Sequence, residues 1–315
     1  MKWKALWGLL GETARDWKDD KADRLSAALA FYTILSLAPL VVIAVAVAGL
    51  AVGEEAARGQ LSDQLGALMG PQAGAAVESI LANAHKPATG VASTIFGAVV
   101  LLVGASGVFG ELQDSLNTIW EVAPKPGRGV WGMLRDRFFS FTMVLGVGFL
   151  LLVSLLVSAG LAAAGDVLSH ALPGGDALWK VINFAVSLVV ITALFALIYK
   201  VVPDVKVAWR DVWVGASVTA LLFVLGKLAI GLYLGKSTVA SAYGAAASIV
   251  VITIWVYYSA QILFLGAEFT QVYARLFGSR IEPSKNAVLV TKDAPKEAPA
   301  RQDFAAVGAR RATNP

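Results

Sequence analysis

Ala27-Ala-Leu-Ala-Phe-Tyr-Thr-Ile-Leu-Ser-Leu-Ala-Pro-Leu-Val-Val-Ile-Ala-Val-Ala-Val-Ala-Gly-Leu-Ala-Val52 contains no charged residue. An apolar run longer than about 18 residues reads as a membrane span, because a helix rises about 1.5 Å per residue and the hydrocarbon core is about 30 Å thick. A helix is the state such a run can take, since backbone in contact with lipid must satisfy its own hydrogen bonds. Pro39 lies inside the run and should kink it. Thr33 and Ser36 precede Pro39 by six and three residues, where their hydroxyls can serve freed backbone groups.

Outward from this segment, five more runs have the same character: about 91–109, 138–164, 178–202, 212–234 and 244–270. The expected fold is therefore an all-α integral membrane protein with six transmembrane helices. The bulk composition agrees: 57% of residues are hydrophobic and 15% charged, against about 25% charged in soluble domains. The charges crowd between the apolar runs. Lys and Arg number 21 in the even-numbered loops and the two ends, against three in the odd-numbered loops. By the positive-inside rule both termini are cytoplasmic, and the expected location is a bacterial inner membrane crossed several times.

Three regions follow. Residues 1–24 form an amphipathic helix: Trp3, Trp7, Leu10, Ala14 and Trp17 share one face, with Lys and Asp on the other. That face either lies in the inner membrane interface or packs on the cytoplasmic ends of the bundle. The polar leader is over twenty residues long, and the following apolar span is too long for an h-region, so a cleavable signal peptide is not expected. Residues 25–275 form the six-helix domain. Its first outer loop is long enough to hold two short helices, marked by Leu61, Leu65 and Leu68 and by Val77, Ile80 and Leu81, and broken at Gly70-Pro71. They are expected to cap the outer mouth. Residues 276–315, rich in Ala, Pro, Lys and Asp, are expected to be a disordered cytoplasmic tail.

The chain has no cysteine and two isolated histidines, His85 and His170, which gives little for a metal site; no metal and no cofactor are expected. Ionisable or polar groups in or beside the spans are the functional candidates. Lys227 interrupts the fifth span and either snorkels to headgroups or faces the interior. Glu268 is near the inner end of the sixth span, with Gln261 two turns earlier. Glu111 and Asp114 share a face at the inner end of the second span, and Arg135 and Arg137 begin the third at the same depth. Together they read as a ring at the cytoplasmic mouth, either a structural set of pairs or a gate or headgroup site. Lys227 and Glu268 are expected to face the bundle interior at different depths. Gly97, Gly104, Gly107 and Gly110 allow close helix approach along the second span.

Three stretches carry a family resemblance: Ala27 through Leu40; Gly107-Val-Phe-Gly-Glu-Leu-Gln-Asp-Ser-Leu-Asn-Thr-Ile-Trp-Glu121; and Ser241-Ala-Tyr-Gly-Ala with Trp255-Val-Tyr-Tyr-Ser-Ala-Gln-Ile-Leu-Phe-Leu-Gly-Ala-Glu268. The chain resembles the YihY/virulence factor BrkB family of bacterial inner-membrane proteins over roughly residues 10–280. The matching positions are Phe31, Tyr32, Ser36, Pro39, Leu112, Asn117, Trp120, Tyr243, Gly244, Tyr257, Tyr258 and Glu268. The resemblance implies six spans. It also implies that the family's older label, ribonuclease BN, should not be followed; the sequence itself lacks a cluster of metal ligands for such chemistry and a soluble basic surface for RNA. Some relatives are associated with serum resistance and envelope lipid export, so the resemblance implies transport of a lipid or other amphiphile in envelope biogenesis. No phosphate-binding G-x-x-x-x-G-K-[ST] loop is present to power it. The alternative is a membrane scaffold that binds envelope partners. An enzyme is not expected, since no G-x-S-x-G or His-rich pattern nominates a nucleophile. The expected partners are membrane lipids, other envelope proteins or further copies of the chain, and no nucleic acid.

Overall fold

The computed structural model describes residues 3–84, 104, 107–125, 175–236, 243, 246–279 and 281–290. The helices are α1 (Trp3–Asp19), α2 (Ala22–Val52), α3 (Glu54–Met69), α4 (Pro71–Ala84), α5 (107–119), α6 (Gly175–Val201), α7 (Trp209–Lys236) and α8 (Ala247–Phe277). Four short strands accompany them: β1 (Val122–Pro124), β2 (Val205–Lys206), β3 (Glu282–Pro283) and β4 (Ala287–Leu289).

Among the described residues, four helices are long and apolar enough to cross a membrane, over Ala22–Leu50, Phe184–Val201, Trp209–Tyr233 and Ala247–Phe277. They coincide with the expected spans 27–52, 178–202, 212–234 and 244–270. The expected span 138–164 lies outside the described residues, as does 91–109 apart from residues 104 and 107–109. Large apolar side chains such as Phe184, Val189, Leu225, Leu228 and Leu232 point outward. That is a fault in water and ordinary in lipid, which is as apolar as a core.

Turn chemistry sets the path of the first four helices. Lys21, in the left-handed region at φ 54°, separates α1 from α2. Gly53 (φ 85°) and Gly70 (φ 101°) separate α2 from α3 and α3 from α4. Without a Cβ, glycine reaches these angles at little cost. The α3–α4 pair forms at the Gly70-Pro71 break, as the sequence indicates. It does not simply sit over the mouth: Ala57, Val77 and Leu81 bury against Val41 and Val45, with Leu37 and Val52 at the edges. The pair therefore lies along the side of α2, because its apolar residues match the second half of that helix.

Among the described residues, α7 and α8 make the closest helix contact. A Cβ on Gly215 would strike Thr270 Oγ1, and one on Gly266 would strike Thr219 Oγ1 and Tyr199 Oη. The motif is reciprocal: Gly215-x-x-x-Thr219 on one helix runs antiparallel to Gly266-x-x-x-Thr270 on the other. Each threonine hydroxyl donates to its own helix's glycine carbonyl, at 2.8 Å for Thr219 and 2.6 Å for Thr270. Their polar atoms are thus satisfied within a seam where glycine lets the backbones approach. Tyr199 of α6 adds a hydrogen bond to the Leu263 carbonyl at 2.7 Å, and its hydroxyl is 3.0 Å from Thr219 Oγ1.

The end of the bundle that carries α1 is closed by the strands. β1 pairs antiparallel with β4 (Val122 opposite Leu289, Pro124 opposite Ala287), and β2 with β3 (Val205 opposite Pro283). The expectation of disorder from residue 276 is corrected here: α8 continues to Phe277, and residues 281–290 are bound to two interhelical loops. The run Ala287-Val-Leu-Val290 has the side chains a strand favours. Residues 291–315 lie outside the described residues. α1 runs over Trp3–Asp19, as one amphipathic helix. Leu9 and Thr13 are buried and Trp17 packs on the core, whereas Trp7 is 60% exposed and Leu10 44%. A narrow strip of α1 packs, while Trp7, Leu10 and Ala14 stay exposed.

Candidate functional site

A crevice of about 550 Å³ opens between α2, α4 and α8, within the ~300–1,000 Å³ range of ligand clefts. Ile34 and Leu37 line it from α2, Ala76 and Ile80 from α4, and Ser248 and Ile249 from α8. Among the described residues no charged side chain lines it, and the polar ones that do are Ser79 and Ser248. The sequence creates this space by placing small residues, Ala38, Ala75, Ala76 and Ala247, where three helices converge. The neighbouring face of α2 is engaged around Ser36 and Pro39. Ser36 Oγ donates to the Gly104 carbonyl at 2.6 Å, and a Cβ on Gly104 would lie 2.9 Å from Pro39 Cγ. Pro39 and Ser36 hold one side of α2 against the chain at residue 104, and Ile34, Leu37 and Ala38 are left to line the crevice.

The charged candidates divide. Glu268 is fully buried on α8, as expected for an interior-facing group, and Gln261, two turns earlier, is half-buried. Lys227 is exposed on α7 beside Leu225 and Leu228. Its expected interior orientation is corrected: the face of α7 turned to the bundle carries Gly226, packed on Tyr258 and Ile262, and the next position along the helix points outward. Glu111 is half-buried and Asp114 exposed on α5. Burial, and then the neighbouring Asp114 charge, raise the Glu111 carboxyl above the usual carboxylate range. Arg135 and Arg137 lie outside the described residues.

Several polar contacts at the α1 end were not singled out from the sequence. Asn117 accepts from the Asp204 backbone N–H at 2.7 Å and donates to its carboxylate at 3.2 Å, where Gln113 also donates at 3.3 Å. Asp211, 3% exposed, accepts from the Ser279 N–H at 2.9 Å and its hydroxyl at 2.8 Å, capping the end of α8. Arg275 bridges Asp16 at 2.9 Å and Glu12 at 3.2 Å. The signal for the first was the Asn117 motif position; an Asp directly before an apolar span, as at Asp211, was the signal for the second.

The remaining motif residues scatter. Phe31 and Tyr32 are exposed, with rings edge to face at 5.9 Å. Trp120 is buried, Leu112, Tyr257 and Tyr258 are half-buried, Tyr243 is exposed, and Gly244 lies outside the described residues. The motif positions do not form one site: Asn117 and Trp120 organise the α1 end, while Ser36, Pro39 and Tyr258 shape helix contacts.

The sequence over residues 13–289 matches the family model described as Virulence factor BrkB. A UPF0761 membrane protein of Pseudomonas paraeruginosa is 30% identical over 259 residues, covering 79% of this chain and 58% of that protein. One from Verminephrobacter eiseniae is 30% identical over 272 residues, covering 84% and 62%. One from Tolumonas auensis is 31% identical over 186 residues, covering 56% and 57%. The chain thus spans about three-fifths of the length of these curated relatives. No solved structure matches.

Proposed function

The chain belongs to the virulence factor BrkB family and is a multi-pass bacterial inner-membrane protein, and on that premise we propose that it moves a lipid or other amphiphile across the membrane by way of the α2–α4–α8 crevice. The observation that carries this reading is a cleft of about 550 Å³ between apolar helices, with no charged side chain among the described residues that line it. An acyl chain gains little by entering it, because lipid is equally apolar. The obstacle to crossing is the headgroup, whose polar atoms are costly to leave unbonded in hydrocarbon. The Ser248 side chain puts a polar group inside the cleft. Glu268 lies twenty residues along α8 from Ser248, about 30 Å away along the helix axis. The cleft and the buried carboxylate therefore belong to opposite halves of a path. The charge count assigns the α1 end, and both termini, to the cytoplasm. Membrane lipids are the first partners this implies, with envelope proteins or further copies of the chain as additional ones.

A membrane scaffold is the competing reading, and the outward position of Lys227 favours it, since that removes one charge from the path and presents it to headgroups or a partner. Lipid exchange in proteoliposomes separates the two. Fluorescent lipid in the inner leaflet is followed by its exposure to an impermeant quencher. Transport predicts protein-dependent exposure that falls severalfold in Ala76→Trp, which fills the cleft, and in Glu268→Gln. Exposure no faster than in empty vesicles would favour the scaffold.

A further inference from the structure

Helix α1 packs chiefly on α8. Leu9 and Thr13 are buried, and Trp17 packs on the core. Arg275 of α8 reaches both Glu12, at 3.2 Å, and Asp16, at 2.9 Å. These contacts fix the rotation of α1 about its axis. A helix turns about 100° per residue, so the arc next to the packed strip carries Leu6, Leu10, Ala14 and Trp7. All four are exposed among the described residues. Lys18 and then Arg15 follow around the helix, also exposed. The circle closes through Asp19 to Glu12 and Asp16. The basic groups therefore border the apolar arc, and two of the acidic groups are turned to Arg275.

The place of α1 beside the membrane limits what can cover that arc. Only Asp20 and Lys21 separate α1 from α2, and the charge-free run of α2 starts at Ala27. Six residues of helix rise about 9 Å, and the headgroup layer on each side of the hydrocarbon is about 5–8 Å deep. α1 thus starts at the outer edge of the headgroups. Leu and Trp are side chains that enter the boundary between headgroups and acyl chains, and Lys and Arg beside them meet phosphates. Lys4, Arg15 and Lys18 balance Glu12, Asp16 and Asp19 along the helix. Burial of the apolar arc, and not net charge, is then what holds α1 in place, and a zwitterionic phospholipid is sufficient.

We infer that α1 is an interfacial anchor: Leu6, Trp7 and Leu10 insert into the leaflet at the α1 end, which the charge count assigns to the cytoplasm. Leu9, Thr13 and the pairs with Arg275 hold the adjoining strip to the bundle. One helix therefore joins the lipid surface to the last turns of α8. A transporter and a scaffold use such an anchor alike, so it is independent of the lipid path.

The test uses the full chain in phosphatidylcholine nanodiscs. The chain has no cysteine of its own, so a nitroxide is attached to one engineered cysteine at a time. Leu10→Cys lies in the apolar arc. Gly8→Cys lies nearly opposite, where an added Cβ meets nothing within 4 Å. Electron paramagnetic resonance compares collisions with oxygen, which concentrates in lipid, and with a water-soluble nickel chelate. The ratio of oxygen to nickel collisions should be severalfold higher at Leu10→Cys than at Gly8→Cys. Leu6→Cys should match Leu10→Cys and serves if that variant does not fold. An equal ratio on the two sides of the helix would put the arc in water and overturn the inference. Loss of both kinds of collision at the arc positions would also overturn it, because protein and not lipid would then cover the arc.

Discussion

Toward α7, helix α8 presents Gly266 and Thr270, and the backbones close until a Cβ on either glycine of the seam would strike the opposing threonine. Toward α2 and α4, the same helix presents Ser248, Ile249 and Ile252, and leaves about 550 Å³ open. Both regions are built from small residues, but they are arranged differently. In the seam, glycine faces threonine at reciprocal four-residue spacings, so every bump meets a gap and every hydroxyl has a carbonyl. In the crevice, alanines from three helices lie among Ile34, Leu37, Ile80 and Ile249, and the space they leave stays open among the described residues. Close packing fixes α6, α7 and α8 as one unit. Any movement that admits an amphiphile is expected on the α2–α4 side.

That contrast is tested most severely at Gly266. Gly266→Ala should destabilise the protein by about 2–3 kcal/mol in equilibrium unfolding from mixed micelles, the upper range for overpacking a tight core. Adding Thr219→Gly should restore much of the loss, because the two positions share one contact and their effects are not additive. Equal losses in the single and double variants would remove the reciprocal seam from the account. Tyr199→Phe should cost about 1 kcal/mol, the usual worth of one buried hydrogen bond; no measurable change would show that Tyr199 is not part of the seam. Ala76→Trp marks the other region. It should shift stability by less than about 1 kcal/mol, within the range of well-tolerated substitutions, while slowing lipid exposure. A loss comparable to that of Gly266→Ala would mean that the crevice is as closely packed as the seam.

The smallest effect is expected at Glu111, outside both regions. Its carboxyl is raised by burial and by Asp114, so between its unfolded and folded pKa values the native state binds more protons. Stability should therefore fall as pH rises through that window. Glu111→Gln should flatten this slope by a few tenths of a kcal/mol, a size set by partial exposure and solvent screening. A slope unchanged in Glu111→Gln would assign the pH dependence to another group.

The parts of this architecture that depend on length and composition were legible in the sequence. The apolar runs located α6 and α7 to within about three residues and α2 and α8 to within about seven, and Gly70-Pro71 located the break between α3 and α4. Which way a residue faces was harder to read. Lys227 and Glu268 look alike as charges inside spans, but Gly226 takes the packed face of α7 and turns Lys227 outward, whereas Glu268 is buried. The α7–α8 seam could have been read from Gly215-x-x-x-Thr219 and Gly266-x-x-x-Thr270, had the four-residue spacing of small residues been compared between helices. The strand that binds the tail was hidden by its setting: Ala287-Val-Leu-Val290 is short, and the polar, proline-containing sequence around it resembles a disordered segment.

The central claim is that the α2–α4–α8 crevice is a path for an amphiphile, and the absence of cysteine from the chain makes a direct test available. Cysteines introduced as Ala76→Cys and Ile249→Cys, on two walls of the crevice, can be bridged by a reducible cross-linker in proteoliposomes carrying labelled lipid. The account predicts that bridging reduces protein-dependent lipid exposure to the level of empty vesicles and that a reductant restores it. Exposure that continues unchanged across the bridged crevice would contradict the claim.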